Sequence, residues 1–142
     1  MAKINLYINF KGTTEEAFIF YKSVFGGEFI GLQRFKDTPV VENLAAEDGD
    51  KLMHVSLPLG ENLLLHGTDI LESRGQTLVA GNNFSIMIEA MSKAEAEKYF
   101  NELSAGGKVI TPMREEFWGA YYGAFTDKFG IQWMINYQFK PL

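Results

Sequence analysis

The sequence predicts an α+β fold in which one β-α-β-β-β module occurs twice. Two helix patterns lie well apart in the chain, and each is followed by three segments with strand character. Matched positions of the two helices are always separated by the same number of residues. The first matched pairs are Thr13 with Ser92 and Glu16 with Glu95. Because chance does not readily reproduce a whole run of such matches, an internal repeat is expected.

The first module begins with a strand over residues 3–10. Thr13 and Glu16 then form a capping box, in which each side chain accepts a hydrogen bond from a free backbone N–H at the helix start. The helix is expected near 14–25, with an apolar face of five residues: Ala17, Phe20, Tyr21, Val24 and Phe25. A glycine pair and three strands follow: Gly26-Gly27, then 27–35, 52–59 and 62–66.

In the second module, Ser92 and Glu95 begin a helix near 93–105. Its apolar face, closing glycines and strands come in the same order: Ala96, Tyr99, Phe100 and Leu103, then Gly106-Gly107, then 107–112, 119–126 and 131–137. The first module is longer, and its polar segment 36–50 is expected to be a mobile loop over the site. We assign one domain in three parts: a first module at 1–66, a linker at 67–81 and a second module at 82–142.

The last hairpin is the most distinctive stretch of the chain. Its two apolar strands flank the segment from Asp127 to Gly130, which has turn chemistry and places Gly130 where a positive φ is expected. Aromatic residues are concentrated in this hairpin: Trp118, Tyr121, Tyr122, Phe125 and Trp133. Alternation along a strand sends about half of them into the core and leaves the others for a ligand.

Two motifs in this hairpin carry a family resemblance. Trp-Gly-x-x-Tyr-Gly begins at Trp118, and Asp-x-Phe-Gly-x-x-Trp-x-Ile-Asn runs from Asp127 to Asn136. Together they resemble the C-terminal signature of the PhnB-like branch of the glyoxalase, or vicinal oxygen chelate, superfamily. Other positions that match this branch are Phe20-Tyr21, Phe25-Gly26-Gly27, His54 and Asp69. The resemblance implies mixed sheets curled around a cleft, with the helices outside.

The resemblance also implies a place for a divalent metal, held by residues on the first and last strands of each module. Carried over to this chain, those positions are Leu6, Leu64, Ser85 and Met134. Leucine has no lone pair to donate, and the methionine thioether is a weak donor to a hard ion. A shift of one residue along the strands brings no better set. We therefore expect no metal and no cofactor, and an apolar floor formed by Leu6 and Leu64.

The two histidines of the chain allow a different metal site. His54, His66 and Glu89 would offer two imidazoles and a carboxylate, a set that suits Fe(II), Mn(II) or Zn(II) if the three side chains converge. The simpler interpretation is a hydrogen-bonded core His54 and a His66 at the rim of the cleft. Glu116, beside Glu115, is either a general base at the cleft mouth or part of a solvated turn.

The sequence therefore predicts a protein that binds, and could convert, a small organic molecule in an aromatic-lined cleft without the superfamily metal site. The expected ligand-contacting residues are His54, His66, Glu89, Glu116, Trp118, Tyr122, Met134 and Asn136. Two alternatives stay open: a metal-dependent lyase, isomerase or dioxygenase, and a resistance protein that sequesters a toxic compound, as bleomycin-resistance relatives do. The methyltransferase label of some family members has no support here, because the chain has no Gly-x-Gly-x-x-Gly loop.

The composition of the chain excludes several classes of partner and chemistry. The net charge of −5 and the scattered lysines and arginines argue against a nucleic-acid partner, which needs a basic surface. The absence of cysteine excludes disulfides and thiol chemistry. No apolar run approaches the roughly 20 residues of a membrane span, so a cytoplasmic protein is expected. Exposed strand edges and the family resemblance also predict a homodimer.

Overall fold

The computed structural model describes residues 1–39 and 42–141, and its chain divides into two compact units, Met1–Val79 and Ala80–Leu142. Within these described residues, each unit contains one α-helix and one four-stranded mixed sheet in the order β-α-β-β-β. The predicted α+β class and the twofold repeat of one module are therefore confirmed.

The first unit is built from four strands and one long helix. Its elements are β1 (Leu6–Phe10), α1 (Thr14–Phe25), β2 (Ile30–Arg34), β3 (Leu52–Leu59) and β4 (Leu63–Asp69). The strand order is β1-β4-β3-β2, with β1 parallel to β4 and the other pairs antiparallel. Ala17, Phe18 and Tyr21 of α1 are fully buried, and the helix packs on β3 and β4. The buried stripe thus includes Phe18 in place of the predicted Phe20, which is only half-buried.

The start of α1 differs from the predicted capping box. The Thr13 side chain makes no capping hydrogen bond. Instead, one carboxylate oxygen of the buried Asp69 accepts hydrogen bonds from the backbone N–H (3.1 Å) and the hydroxyl (2.6 Å) of Thr14. The other oxygen accepts from the backbone N–H of Leu52 at 2.9 Å. A carboxylate from the end of β4 therefore fixes the helix start to the sheet, a role that local sequence could not reveal.

The second unit repeats the arrangement. Its elements are β5 (Ile86–Glu89), α2 (Lys93–Ser104), β6 (Lys108–Glu116), β7 (Ala120–Thr126) and β8 (Gln132–Gln138), in the strand order β5-β8-β7-β6. Here the predicted cap is present: the Ser92 hydroxyl accepts from the Glu95 N–H, and the Glu95 carboxylate accepts from the Met91 N–H, both at 3.0 Å. Ala96, Phe100 and Leu103 form the buried face of α2.

The hairpin of β7 and β8 depends on Asp127, whose side chain is buried. One oxygen accepts from the backbone N–H groups of Phe129 (2.8 Å) and Ile131 (3.0 Å), and the other accepts from the indole N–H of Trp133 (2.9 Å). Gly130 has φ of 88°, as expected for this turn. The Asp, Gly and Trp of the second signature motif are therefore structural residues.

Gly123 has a structural role in the first signature motif. A Cβ atom at this position would lie 2.6 Å from the Met113 sulfur and 2.8 Å from the Phe100 ring of α2. Gly67 has a similar role in the first unit, although it lies on the last strand, β4, since a Cβ there would lie 2.4 Å from the ring of Phe18. Each sheet thus accepts its helix at a glycine.

One boundary of the first unit differs from expectation. Strand β4 continues to Asp69, so the linker predicted at 67–81 begins too early. Within the segment 36–50, Asp48 is buried and accepts hydrogen bonds from Lys51 (2.7 Å) and from the hydroxyl of Ser73. Val40 and Val41, which belong to this predicted mobile loop, lie outside the described residues.

No helix in the described ranges is long and apolar enough to cross a membrane.

Candidate ligand-binding face

The aromatic residues of the last hairpin divide between the two faces of the second sheet. Tyr121 points to α2, where its hydroxyl donates to Glu97 at 2.8 Å, and Trp133 is 1% exposed in the core. Tyr122 follows Tyr121 in β7 and therefore points away from α2. The Trp118 ring packs on Tyr122 at 6.3 Å and 61°, and it is 43% exposed. We call this side of the sheet the open face.

A row of polar side chains crosses the open face. Strand register places Arg114 (β6) beside Tyr122 (β7), Tyr122 beside Asn136 (β8), and Asn136 beside Glu89 (β5). The Asn136 amide donates to the Glu89 carboxylate at 3.4 Å, a long hydrogen bond. Cross-strand neighbours share one face of a sheet, so the four side chains form a continuous line. We call this line the polar row.

The positive end of the polar row is held by a carboxylate. Arg114 Nε donates to Glu116 Oε1 at 2.7 Å. The Glu116 side chain is 15% exposed, whereas Glu115 points the other way and is largely exposed, 3.9 Å from Lys93 of α2. Of the two sequence hypotheses for Glu116, the solvated turn is wrong, because Glu116 is a strand residue of β6 with a fixed partner.

Next to the polar row, the open face is apolar. Met87 of β5 and Met134 of β8 are register partners, and Met87 is about half exposed. Six of the eight predicted ligand residues thus lie in one unit and on one face: Glu89, Glu116, Trp118, Tyr122, Met134 and Asn136. Sequence reasoning missed Arg114, although the hairpin pairing of β6 with β7 would have located it.

The other two predicted ligand residues meet on the first sheet. His54 Nε2 lies 2.9 Å from His66 Nδ1, and the Ser56 hydroxyl oxygen lies 2.8 Å from the same Nδ1 and 3.3 Å from His54 Nε2. The Tyr7 ring stacks on His66 with centroids 5.6 Å apart. We call His54, Ser56 and His66 the histidine cluster. His54 is hydrogen-bonded as expected, with His66 as its partner, but it is half-buried and does not belong to the core.

The short N–N distance in this cluster constrains its protons. A neutral imidazole carries one N–H and one lone pair, so a hydrogen bond between two rings needs one ring to donate and the other to accept. The pKa of His66 is lowered, first by burial and then by the neighbouring His54 ring. Both effects favour the neutral form, in agreement with this proton count.

The strand register corrects the predicted apolar floor. Leu6 pairs with Leu65, which is fully buried on the α1 side, whereas Tyr7 pairs with His66. Leu6 therefore faces the helix while Leu64, one residue before Leu65, faces the opposite side. The two leucines do not line one surface, because the transferred position in β1 was off by one residue.

The donors in the first unit do not by themselves suit the superfamily metal. Its first and last strands bring Tyr7 and His66 to this face, short of the three or four ligands that such an ion needs. The facing nitrogen of His66 is already bonded to His54 and Ser56. Over residues 1–39 and 42–141, no group of three His, Cys, Asp or Glu side chains is arranged to hold a metal. Glu89, the third member of the alternative set, bonds Asn136.

Two mixed sheets of β-α-β-β-β topology, each with a helix on one side, define a glyoxalase-like protein. The chain matches the Glyoxalase family, described as the Glyoxalase/Bleomycin resistance protein/Dioxygenase superfamily, over residues 3–135. This range spans nearly the whole chain, which therefore belongs to that superfamily.

Several relatives are similar over almost their full length. Protein YjdN of Escherichia coli K12 is 29% identical over 136 residues, 92% of this chain and 91% of that protein. The crystal structure of protein PA1353 from Pseudomonas aeruginosa is 36% identical with a TM-score of 0.85, covering 97% of this chain and 98% of that one. A PhnB protein from Bacillus cereus shares the fold at 23% identity and a TM-score of 0.76, covering 96% and 99%. The expected superfamily is confirmed.

Proposed function

We propose that this protein binds a small organic molecule on the open face of its second sheet, without the superfamily metal. The observation that carries the proposal is the packing of Trp118 on Tyr122 beside the polar row. The other notable residues of the same motifs, Gly123 and Asp127 among them, are used by the fold. Trp118 and Tyr122 are not required for helix packing and remain for recognition.

The chemistry of the open face suits a flat molecule with polar ends. Aromatic rings and methionine side chains cover a planar apolar body, and a few fixed polar groups orient it. Arg114 with Glu116 supplies one polar end, and the exposed Glu89, which is bonded to the buried Asn136, supplies the other. The aromatic body of the ligand would lie over Tyr122 and contact Trp118.

The two tryptophans allow a direct test. A compound library is screened by protection of the protein fluorescence from acrylamide, which reaches the exposed Trp118 but not the buried Trp133. A ligand is expected to reduce the quenching of wild-type fluorescence by acrylamide. It should leave the fluorescence of Trp118→Phe unchanged, because that variant has lost the exposed tryptophan. Tyr122→Ala should weaken binding roughly tenfold, the effect of losing one aromatic contact. Tyr121→Phe changes the opposite side of the same strand. Its ligand affinity should stay within about twofold of the wild type, because contacts on the open face are unchanged.

The same assay separates the alternatives. Chelator-treated protein should bind as well as untreated protein, whereas loss of binding that Mn(II) or Zn(II) restores would favour the metal-dependent enzyme. Mass spectrometry of the recovered ligand distinguishes sequestration, which leaves it intact, from turnover. If no compound in the library protects Trp118, the proposal fails.

A further inference from the structure

We infer that the ligand carries a carboxylate next to its aromatic plane and that Arg114 binds this carboxylate. The inference rests on the proposed function, because it concerns the same open face. It goes further by naming a chemical class, aryl carboxylates, and the residue that selects it.

The position of Arg114 is the first argument. Its cross-strand neighbour is Tyr122, so the guanidinium lies at the edge of the surface on which an aromatic ring would rest. The Arg114 side chain is 64% exposed and contributes little to the core. A ligand stacked on Tyr122 would therefore place a ring substituent within reach of the guanidinium.

The bonding of Arg114 is the second argument. A guanidinium has five N–H donors, and Glu116 occupies the one on Nε. In the part of the chain that the structure describes, neither Nη group donates a hydrogen bond to the protein. Because Nε bonds Glu116, the outer edge of the guanidinium, formed by the two Nη groups, is left for a ligand. That edge binds a carboxylate through two parallel hydrogen bonds.

The opposite end of the polar row gives the ligand a direction. Glu89 places a carboxylate there, next to the Asn136 amide. A ligand carboxylate at this end would be repelled, while an amine, amide or hydroxyl group would find acceptors. The row spans four strands, or about 14 Å between its outer backbones at the usual strand spacing. An aryl carboxylate with a hydrogen-bond donor on the far side of the ring matches this polarity.

The test uses two nearly isosteric probes, 4-aminobenzoate and its neutral amide, 4-aminobenzamide, measured by calorimetry on the full chain. Wild-type protein should bind the acid roughly tenfold or more tighter than the amide, since hydrogen bonds to a charged group are the stronger ones. Arg114→Gln should remove most of this preference, because it weakens binding of the acid by about tenfold and binding of the amide by less, since the neutral carbonyl forms a weaker hydrogen bond with the guanidinium. Arg114→Lys should keep only part of the preference, because an ammonium group lacks the two-pronged edge.

A matched control removes the same charge elsewhere on the strand. Lys108 begins β6 and is exposed, so Lys108→Gln changes the net charge equally but should leave both affinities unchanged. Equal binding of acid and amide by the wild type, or an unchanged preference in Arg114→Gln, overturns this inference and leaves the proposed function standing. If neither probe binds and no library compound protects Trp118, the proposed function is overturned, and this inference falls with it.

Discussion

At the residue scale, the histidine cluster connects stability to pH. The folded-state pKa of His66 lies below its ordinary value of 6.5, so the unfolded chain takes up a proton first on acidification. The free energy of unfolding should therefore be largest at pH values above the pKa of His66 in the unfolded chain. It should fall as the pH drops towards the pKa of His66 in the folded protein. Urea unfolding between pH 7.5 and about 5.5 measures this slope, and His66→Gln should flatten it.

Three carboxyl groups with lowered pKa values titrate below this window. The carboxyl groups of Glu15, Asp48 and Asp50 have lowered pKa values because of hydrogen bonds to Arg34, Lys51 and Lys36 respectively. They remain ionised throughout the range and titrate only at more acidic pH. An unchanged slope in His66→Gln would show that the cluster is not the origin of the pH dependence.

Residues whose roles are local could be predicted, whereas those with distant partners could not. Asp127 and Gly130 act within one turn, so the motif itself predicted their conformation. Asp69 caps a helix whose first residue is 55 positions away, and nothing local indicates that partner. Leu6 was assigned to the position that Tyr7 occupies because strand alternation has a period of two, and a shift of one residue exchanges the faces of β1.

At the element scale, the two helices of the repeat have the same length but begin differently. Ser92 caps α2 with its hydroxyl, whereas the start of α1 is held by Asp69 and the Thr13 side chain makes no capping bond. Ser92→Ala should thus lower the free energy of unfolding by about 1 kcal/mol, the usual effect of losing an N-cap. Thr13→Ala should change it by less than about 0.5 kcal/mol, as at an ordinary surface site.

Urea unfolding of the two variants makes this comparison directly. Because the sequence pattern is the same at both helix starts, equal losses would mean that Thr13 caps α1 after all.

The bounds of both helices followed from sequence because their apolar faces are periodic and each ends near glycine. Arg114 was missed because the predicted strand 107–112 ended before it, whereas β6 continues to Glu116.

At the scale of the whole molecule, the strand edges predict a homodimer. Each four-stranded sheet has two edge strands: β1 and β2 in the first unit, and β5 and β6 in the second. Exposed apolar side chains lie on them, including Ile30 of β2 at 52% and Ile110 of β6 at 57%. Edge strands with exposed apolar residues tend to be covered by another chain.

Light scattering at micromolar concentration should therefore give twice the 16.0 kDa mass of one chain. The interface of such a dimer is expected to bury more than roughly 1,000 Å². Ile30→Lys and Ile110→Lys each place a charge on one edge, and the variant that yields a monomer identifies the edge in contact. Ile19→Lys is the matched control, because Ile19 is 55% exposed on α1, away from any edge. A wild-type mass of one chain would refute the dimer, and dissociation by Ile19→Lys would place the contact on the helix instead.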